Sequence, residues 1–331
     1  MNVQLFAIDK LDNNAAIPQL EGKTLVGFCY PTHGFFVPWL VMKFMLRFPN
    51  IQKTGVFFLN TRAGMKLWRF YLPGLSGLAQ WFPIVLFWLK GYEIKASLPL
   101  DMPHSWISFF PPNTKNGITA IVKRCHAIVN KMCSDIFKEK SYFRYSIWTS
   151  LLFDISLIPI TLLYVFAGRF MLAKTLFTSL KCNACRLCEA SCPVQAIIIK
   201  DNRPYWKYTC ESCMRCMNIC PKKSIQSWVT RITLITYILT SISILYTSLN
   251  SYLIFTIVSI LFFPIYWIVF WIMSIKAMNW LFTYTSLTRY WGRYLAPEIK
   301  VKDFNTDIKE RLIRKTKEIR LKLNRIGRWM V

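Results

Sequence analysis

Eight of the eleven cysteines fall into two runs, CNACRLCEASCP from Cys182 and CESCMRCMNICP from Cys210, each spaced Cys-x2-Cys-x2-Cys-x3-Cys-Pro. The second copy keeps every cysteine and the closing proline at the offsets of the first. Thiolates at such short, regular intervals read as metal ligands rather than disulfide partners, and MNVQLFAIDKLDNN lacks the basic and apolar regions of a secretory leader. Zinc knuckles pair two Cys-x2-Cys units and have no use for a third and fourth thiolate at this spacing. Iron-sulfur chemistry is therefore the stronger reading, with zinc and plain structural cysteine the weaker ones. Pro193 and Pro221, after the last cysteine of each run, lack an amide donor and suit a first helical turn.

The spacing resembles that of the bacterial two-cluster ferredoxins, in which three cysteines of one run hold one cubane and the fourth serves the other. The resemblance implies crossed ligand sets: Cys182, Cys185, Cys188 and Cys220 for a first [4Fe-4S] cluster, and Cys210, Cys213, Cys216 and Cys192 for a second. Between the runs, AIIIKDNRPYWKY reads as two short strands around an Asp201-Asn202 turn. Residues 181–223 carry eight Lys/Arg against three acids. Positive charge favours the reduced form of a nearby cluster and selects an acidic redox partner or a lipid surface.

The elements that would carry these loops begin in the N-terminal third. VQLFAIDKL, KTLVGFCYP, TGVFFLNT and EIKASLPLDMP read as strands, and PWLVMKFMLRF and GLSGLAQWFPIVLFWLKGY as helices. That alternation argues for a parallel sheet covered by helices. In GITAIVKRCHAIVNKMCSDIF one apolar stripe makes Cys125 and Cys133 core residues rather than ligands. His33, His104 and His126 are isolated and none is nominated as a site.

With its YPTHG and NTRAG turns and the exit KGYEI…LPLDMPHSW, the stretch from Val3 to Gln226 resembles flavodoxin-like domains fused to a two-cluster ferredoxin, a bacterial and archaeal family. That resemblance brings FMN into view as a cofactor. The Ser/Thr-rich phosphate loop between a first strand and first helix is missing, however, and the chain opens at what reads as the second strand. FMN is therefore not assigned to any residue. Arg62 reads as a surface arginine that could alternatively face a reduced flavin.

From Ile232 to Ile275 the chain has 44 residues without a charge, enough for two spans around TSLNS. Lys222, Lys223 and Arg231 on one side and Lys276, Arg289 and Arg293 on the other place both ends in the cytoplasm by the positive-inside rule, with Trp267, Trp271, Trp280, Tyr284 and Trp291 as an aromatic belt. Residues 146–168 are apolar but carry Asp154 and Pro159, and read as an interfacial segment broken at the proline, ahead of a true span. The tail, with eleven Lys/Arg and five acids from Glu298 onward, suits a basic helix on anionic headgroups.

The expected fold class is an α/β incomplete flavodoxin-like domain (1–140), an interfacial linker (141–175), an α+β two-cluster ferredoxin-like domain (176–228), a transmembrane helical hairpin (229–276) and an interfacial helix with a basic tail (277–331). The expected function is that of an electron carrier at a prokaryotic inner membrane, its soluble domains in the cytoplasm, rather than a stand-alone enzyme. A flavin-dependent reductase acting on a substrate or quinone, and a non-catalytic assembly or sensor protein, are the alternatives. The net charge of +26 speaks for acidic protein or anionic lipid as partner, and the lack of a base-reading motif against nucleic acid.

Overall fold

A period of two fixes the sheet of the first unit. In β1 (Leu25–Pro31) Phe28 and Tyr30 are buried while Gly27 and Cys29 are exposed, and in β2 (Gly55–Leu67) Val56, Phe58 and Asn60 are buried opposite Val26, Phe28 and Tyr30. The computed structural model describes residues 3–11, 24–51, 53–143, 147–229, 266–296 and 300–301. It divides into a first unit of Met1–His104 with Pro112–Phe170 and a second of Ser105–Pro111 with Met171–Val331.

In the first unit β1, β2 and β4 (Glu93–Pro103) run parallel in that order, with the short β5 (Tyr142–Phe143) parallel beyond β4 and β3 (Phe70–Leu72) folded back antiparallel on the end of β2. Parallel neighbours require crossovers, and helices supply them. The helices α1 (Trp39–Arg47) and α2 (Leu78–Leu89) contribute Met45 and Phe87 to the core around Phe28 and Phe58. There the Phe28 ring lies 4.8 Å from Phe87 and 5.2 Å from Phe48. A second core joins α3 (Lys115–Phe137), through Ile121, Cys125 and Met132, to Ala96, Leu98 and Leu100 of β4. The Thr114 hydroxyl caps α3 by accepting from the Gly117 amide at 3.2 Å.

Two local expectations fail. Residues 3–11 form no strand but a single 3-10 turn at Ile8–Lys10, with Leu5 and Phe6 exposed. Only Ile8 of this stretch reaches the aromatic core, so nothing holds it extended. Cys125 is buried as its stripe requires, whereas Cys133 is exposed.

The apolar stretch around Asp154 is broken, as Pro159 suggested, into α4 (Ile147–Ser156) and α5 (Ile158–Leu163), with Pro159 in the first turn of α5. A π-helical turn, Tyr164–Gly168, follows, and α6 (Arg169–Ala173) leads into the second unit. The Asp154 carboxylate is buried: it accepts from the Gly77 amide, the cap of α2, at 2.8 Å and from the Trp81 indole N–H at 2.8 Å. Burial pushes its pKa up, and those two donors and Arg62 pull it back. An acidic side chain in an apolar stretch is thus an anionic cap for a distant helix.

The second unit has two antiparallel pairs: β6 (Leu176–Thr178) with β9 (Ile225–Ser227), and β7 (Ile197–Lys200) with β8 (Arg203–Trp206). Asp201 and Asn202, at φ 47° and 58°, form the expected turn between β7 and β8, two positive φ values being what a tight hairpin asks for. Between the strands lie α7 (Leu187–Ala190) and α8 (Arg215–Ile219). Ile107, from the short piece Ser105–Pro111, is fully buried in the core with Trp206 and Met217.

The transmembrane hairpin is overturned. Among the described residues no helix is long and apolar enough to cross a membrane. Residues 230–265, most of the expected hairpin, lie outside the described residues. Its final part, residues 266–272, is helical, after which the chain turns before α9 (Lys276–Tyr284). Tyr266 and Phe270 are buried on Tyr205 of β8, their rings 5.6 and 5.3 Å from it, so this end of the apolar run covers protein. Of the belt aromatics Trp267, Trp271, Trp280 and Tyr284 are exposed. From α9 onward the chain is hydrogen-bonded to the β6–β9 pair: Asn279 Nδ2 of α9 donates to the Thr178 carbonyl at 2.9 Å, the Ser227 amide donates to Thr288 Oγ1 at 3.0 Å, and Arg293 Nη2 donates to the Ile225 carbonyl at 2.9 Å. The basic tail from residue 302 lies outside the described residues.

Replacing Asp154 by Ala should destabilise the first unit by about 2–3 kcal/mol, because a buried indole N–H and a helix-cap amide lose a charged acceptor together. Asn, which can accept from one donor but not both, should fall between. Urea unfolding followed by tryptophan fluorescence measures both variants.

Candidate iron-sulfur centre

Residues 28 apart share backbone conformation in the two cysteine loops. Ala184 and Ser212 share φ of 52° and 51°, Arg186 and Met214 60° and 57°, Gln195 and Lys223 49° and 48°. The left-handed residues at 184, 186, 212 and 214 turn each Cys-x2-Cys-x2-Cys loop sharply before α7 or α8 starts. The Ala196 amide donates to Cys192 Sγ at 3.3 Å, and its counterpart, the Ser224 amide, to Cys220 Sγ at 3.4 Å. Each repeat is a strand, a cysteine loop, a short helix and a strand, and the first strand of one repeat pairs with the last strand of the other. This strand exchange is an approximate twofold arrangement.

It brings the end of one run to the start of the other. Burial pushes the Cys188 thiol up to about 12, helped by like charge from Cys220, Cys182 and Cys185. Cys213 is pushed up to about 11 by burial, with Cys192 among the opposing charges. Burial also raises Cys210, which feels Cys213 and Cys192, and Cys216, which feels Cys210, Cys213 and Cys188. The two groups differ in cover. Cys185 is exposed and Cys182, Cys188 and Cys220 are half-buried, whereas Cys192, Cys210 and Cys216 are buried and Cys213 half-buried.

Among the described residues no three His, Cys, Asp or Glu side chains are grouped to hold a single metal ion. A cubane asks for something else, since each of four irons takes its own thiolate and the sulfurs stand around the cluster rather than around one ion. Two observations fit such a group. Amide N–H donors point at Cys192, Cys210 and Cys220 sulfurs, the Ser212 amide lying 3.4 Å from Cys210. The buried indole N–H of Trp206 has no acceptor in good geometry, yet lies near enough to Cys216 to favour its thiolate. Donors to sulfur are what tune an iron-sulfur centre.

Residues 181–225 match the family model of the 4Fe-4S dicluster domain. This part of the chain is thus a ferredoxin-like iron-sulfur domain, binding 4Fe-4S chemistry and serving electron transfer. No curated protein and no solved structure matches the chain. The match leaves out two residues that the structure adds to this domain, Lys174 and Arg293, and a third contact comes from Asn218 within it. Lys174 is fully buried, its pKa drawn down to about 8 by burial and pulled back by Cys210. Arg293, lowered by burial, feels both Cys220 and Cys216. Asn218 on α8 donates to the Ser105 carbonyl at 2.9 Å and accepts from the Tyr294 amide at 2.8 Å. Lone basic residues outside the runs carry no sequence signal of such a position.

The turn around Arg62 is tied up within the protein. Arg62 is no surface residue: its side chain is 8% exposed and donates to Asp101 at 2.7 Å. Asp101 also accepts from the Gly74 amide, and Asn60 donates to Thr32 and Ser76, both at 3.1 Å. At the start of α2 the Gly77 amide serves Asp154.

Because these thiols must lose protons to bind iron, cluster assembly on the apoprotein should become more complete as the pH is raised from mildly acid to mildly alkaline. Iron retained after desalting, at fixed iron and sulfide, measures it.

Proposed function

We propose that the chain relays single electrons through two [4Fe-4S] clusters, one held by Cys182, Cys185, Cys188 and Cys220 and the other by Cys210, Cys213, Cys216 and Cys192. The reading is carried by one observation: the thiols that act on Cys188 include Cys220 of the other run, and those that act on Cys213 include Cys192. Bound there, the clusters would supply one-electron chemistry. The protein's residues would hold the thiolates, direct N–H groups at sulfur and exclude water from one set more than from the other.

The exposed Cys185 makes the first set the point of exchange with a partner. Lys181, Arg186, Lys222 and Lys223 beside it favour an acidic one. Eight cysteines serving as thiolate ligands suit a reducing cytoplasm. Attachment to an anionic membrane surface belongs to the same reading and is supported by the exposed Leu152, Phe153 and Phe166 together with the basic tail.

Protein purified without oxygen should contain about eight irons and eight sulfides per chain. Zinc without acid-labile sulfide would sink the reading. The crossing has its own test. Cys192→Ala should alter the same paramagnetic signal as Cys213→Ala and spare the one altered by Cys185→Ala. If it instead matched Cys185→Ala, each run would close its own cluster.

A further inference from the structure

Lys174 is 0% exposed, and among the described residues no carboxylate pairs with it. Its ammonium donates to the Trp206 carbonyl and lies over three tyrosine rings, 4.0 Å from the centroid of Tyr208, 4.2 Å from Tyr266 and 4.8 Å from Tyr205. Ring faces and one carbonyl hold a cation in place but do not neutralise it. Burying a charge is costly unless an opposite charge compensates. Trp206, whose carbonyl accepts from Lys174, packs in one core cluster with Cys192, Cys210 and Cys216, members of the more buried thiol set that would turn anionic on binding iron. The repeat offers no copy, because 28 residues further on stands Asn202, in the exposed turn between β7 and β8. Tyr266 comes from the helix packed on β8, so an element outside the two cysteine runs completes the cage.

We infer that Lys174 is a fixed internal counter-cation for the cluster of the Cys210 set, raising the reduction potential of that cluster and leaving the other essentially unchanged. The inference rests on the two-cluster reading above. A reduced cluster carries one more negative charge than an oxidised one, and a nearby ammonium in a low-dielectric cage favours the reduced form. Burial alone works in the opposite direction by disfavouring the added charge. Lys174 is a positioning residue in this sense: it acts on the cluster through the field at Cys210 and transfers nothing itself.

The test is a dithionite titration of the anaerobically purified full chain, with the two paramagnetic signals assigned beforehand from Cys185→Ala and Cys213→Ala. Lys174→Met keeps the length of the side chain without its charge, and Lys174→Arg keeps the charge. The Met variant should lower the reduced-to-oxidised ratio of the Cys210-set cluster at a given potential by roughly tenfold, about 59 mV for a one-electron couple. Arg should stay near wild type, and the Cys182-set cluster should move in neither variant. Equal shifts of both clusters, or no shift, would overturn the inference. If the Met chain assembles no Cys210-set cluster while the Arg chain does, the charge is required for holding it and the inference stands. If both fail, packing and not charge is what Lys174 supplies, and the inference falls. Wild-type iron and sulfide content tells these failures apart from a failure of the two-cluster reading, since a chain with one cluster would show it before any variant is made.

Discussion

Mutual repulsion among buried sulfurs is the constraint on which the second unit turns. Each thiol that ionises makes its neighbours harder to ionise, and cover from water adds to the cost, so Cys188, Cys210, Cys213 and Cys216 all hold their protons more tightly than free thiols do. Such a grouping is poorly suited to disulfides or free thiolates and well suited to a cationic inorganic core that neutralises several at once. The surrounding architecture serves that crowding. Left-handed residues at matched positions fold each loop tightly, and the exchange of strands between repeats carries the end of each run toward the start of the other.

Much of this was legible because it is local. The spacing of the cysteines, the turn at Asp201-Asn202 and the alternation of Phe28, Tyr30, Val56 and Phe58 are written within a few residues of one another, and the structure contains the loops, the hairpin and the parallel sheet they imply. What could not be read depends on partners distant in sequence. Arg62 looks like a surface arginine until Asp101 is brought beside it, and Asp154 like a breach in an apolar segment until Gly77 and Trp81 meet it. The membrane hairpin failed for a related reason. Freedom from charge measures how little a segment minds leaving water, not what it leaves water for. At its described end Tyr266 and Phe270 leave water for Tyr205.

The first unit holds a parallel sheet whose polar groups at the C-terminal strand ends are engaged with one another. Ion pair, asparagine and capping carboxylate together take up the donors there. A fold of this kind carries no function by itself. In the second unit N–H donors face sulfur.

That second unit is assembled from pieces far apart along the chain. Ile107 arrives from a short excursion before the last part of the first unit, and Asn279, Thr288 and Arg293 arrive after the long apolar run. A ribosome releases these pieces in order, so both cysteine runs emerge well before the residues that close over β6 and β9. During that interval the thiols are present but the hydrogen bonds from α9 onward to β6 and β9 are not. The order of synthesis thus separates the residues that would hold iron from the residues that tie down the strands beside them.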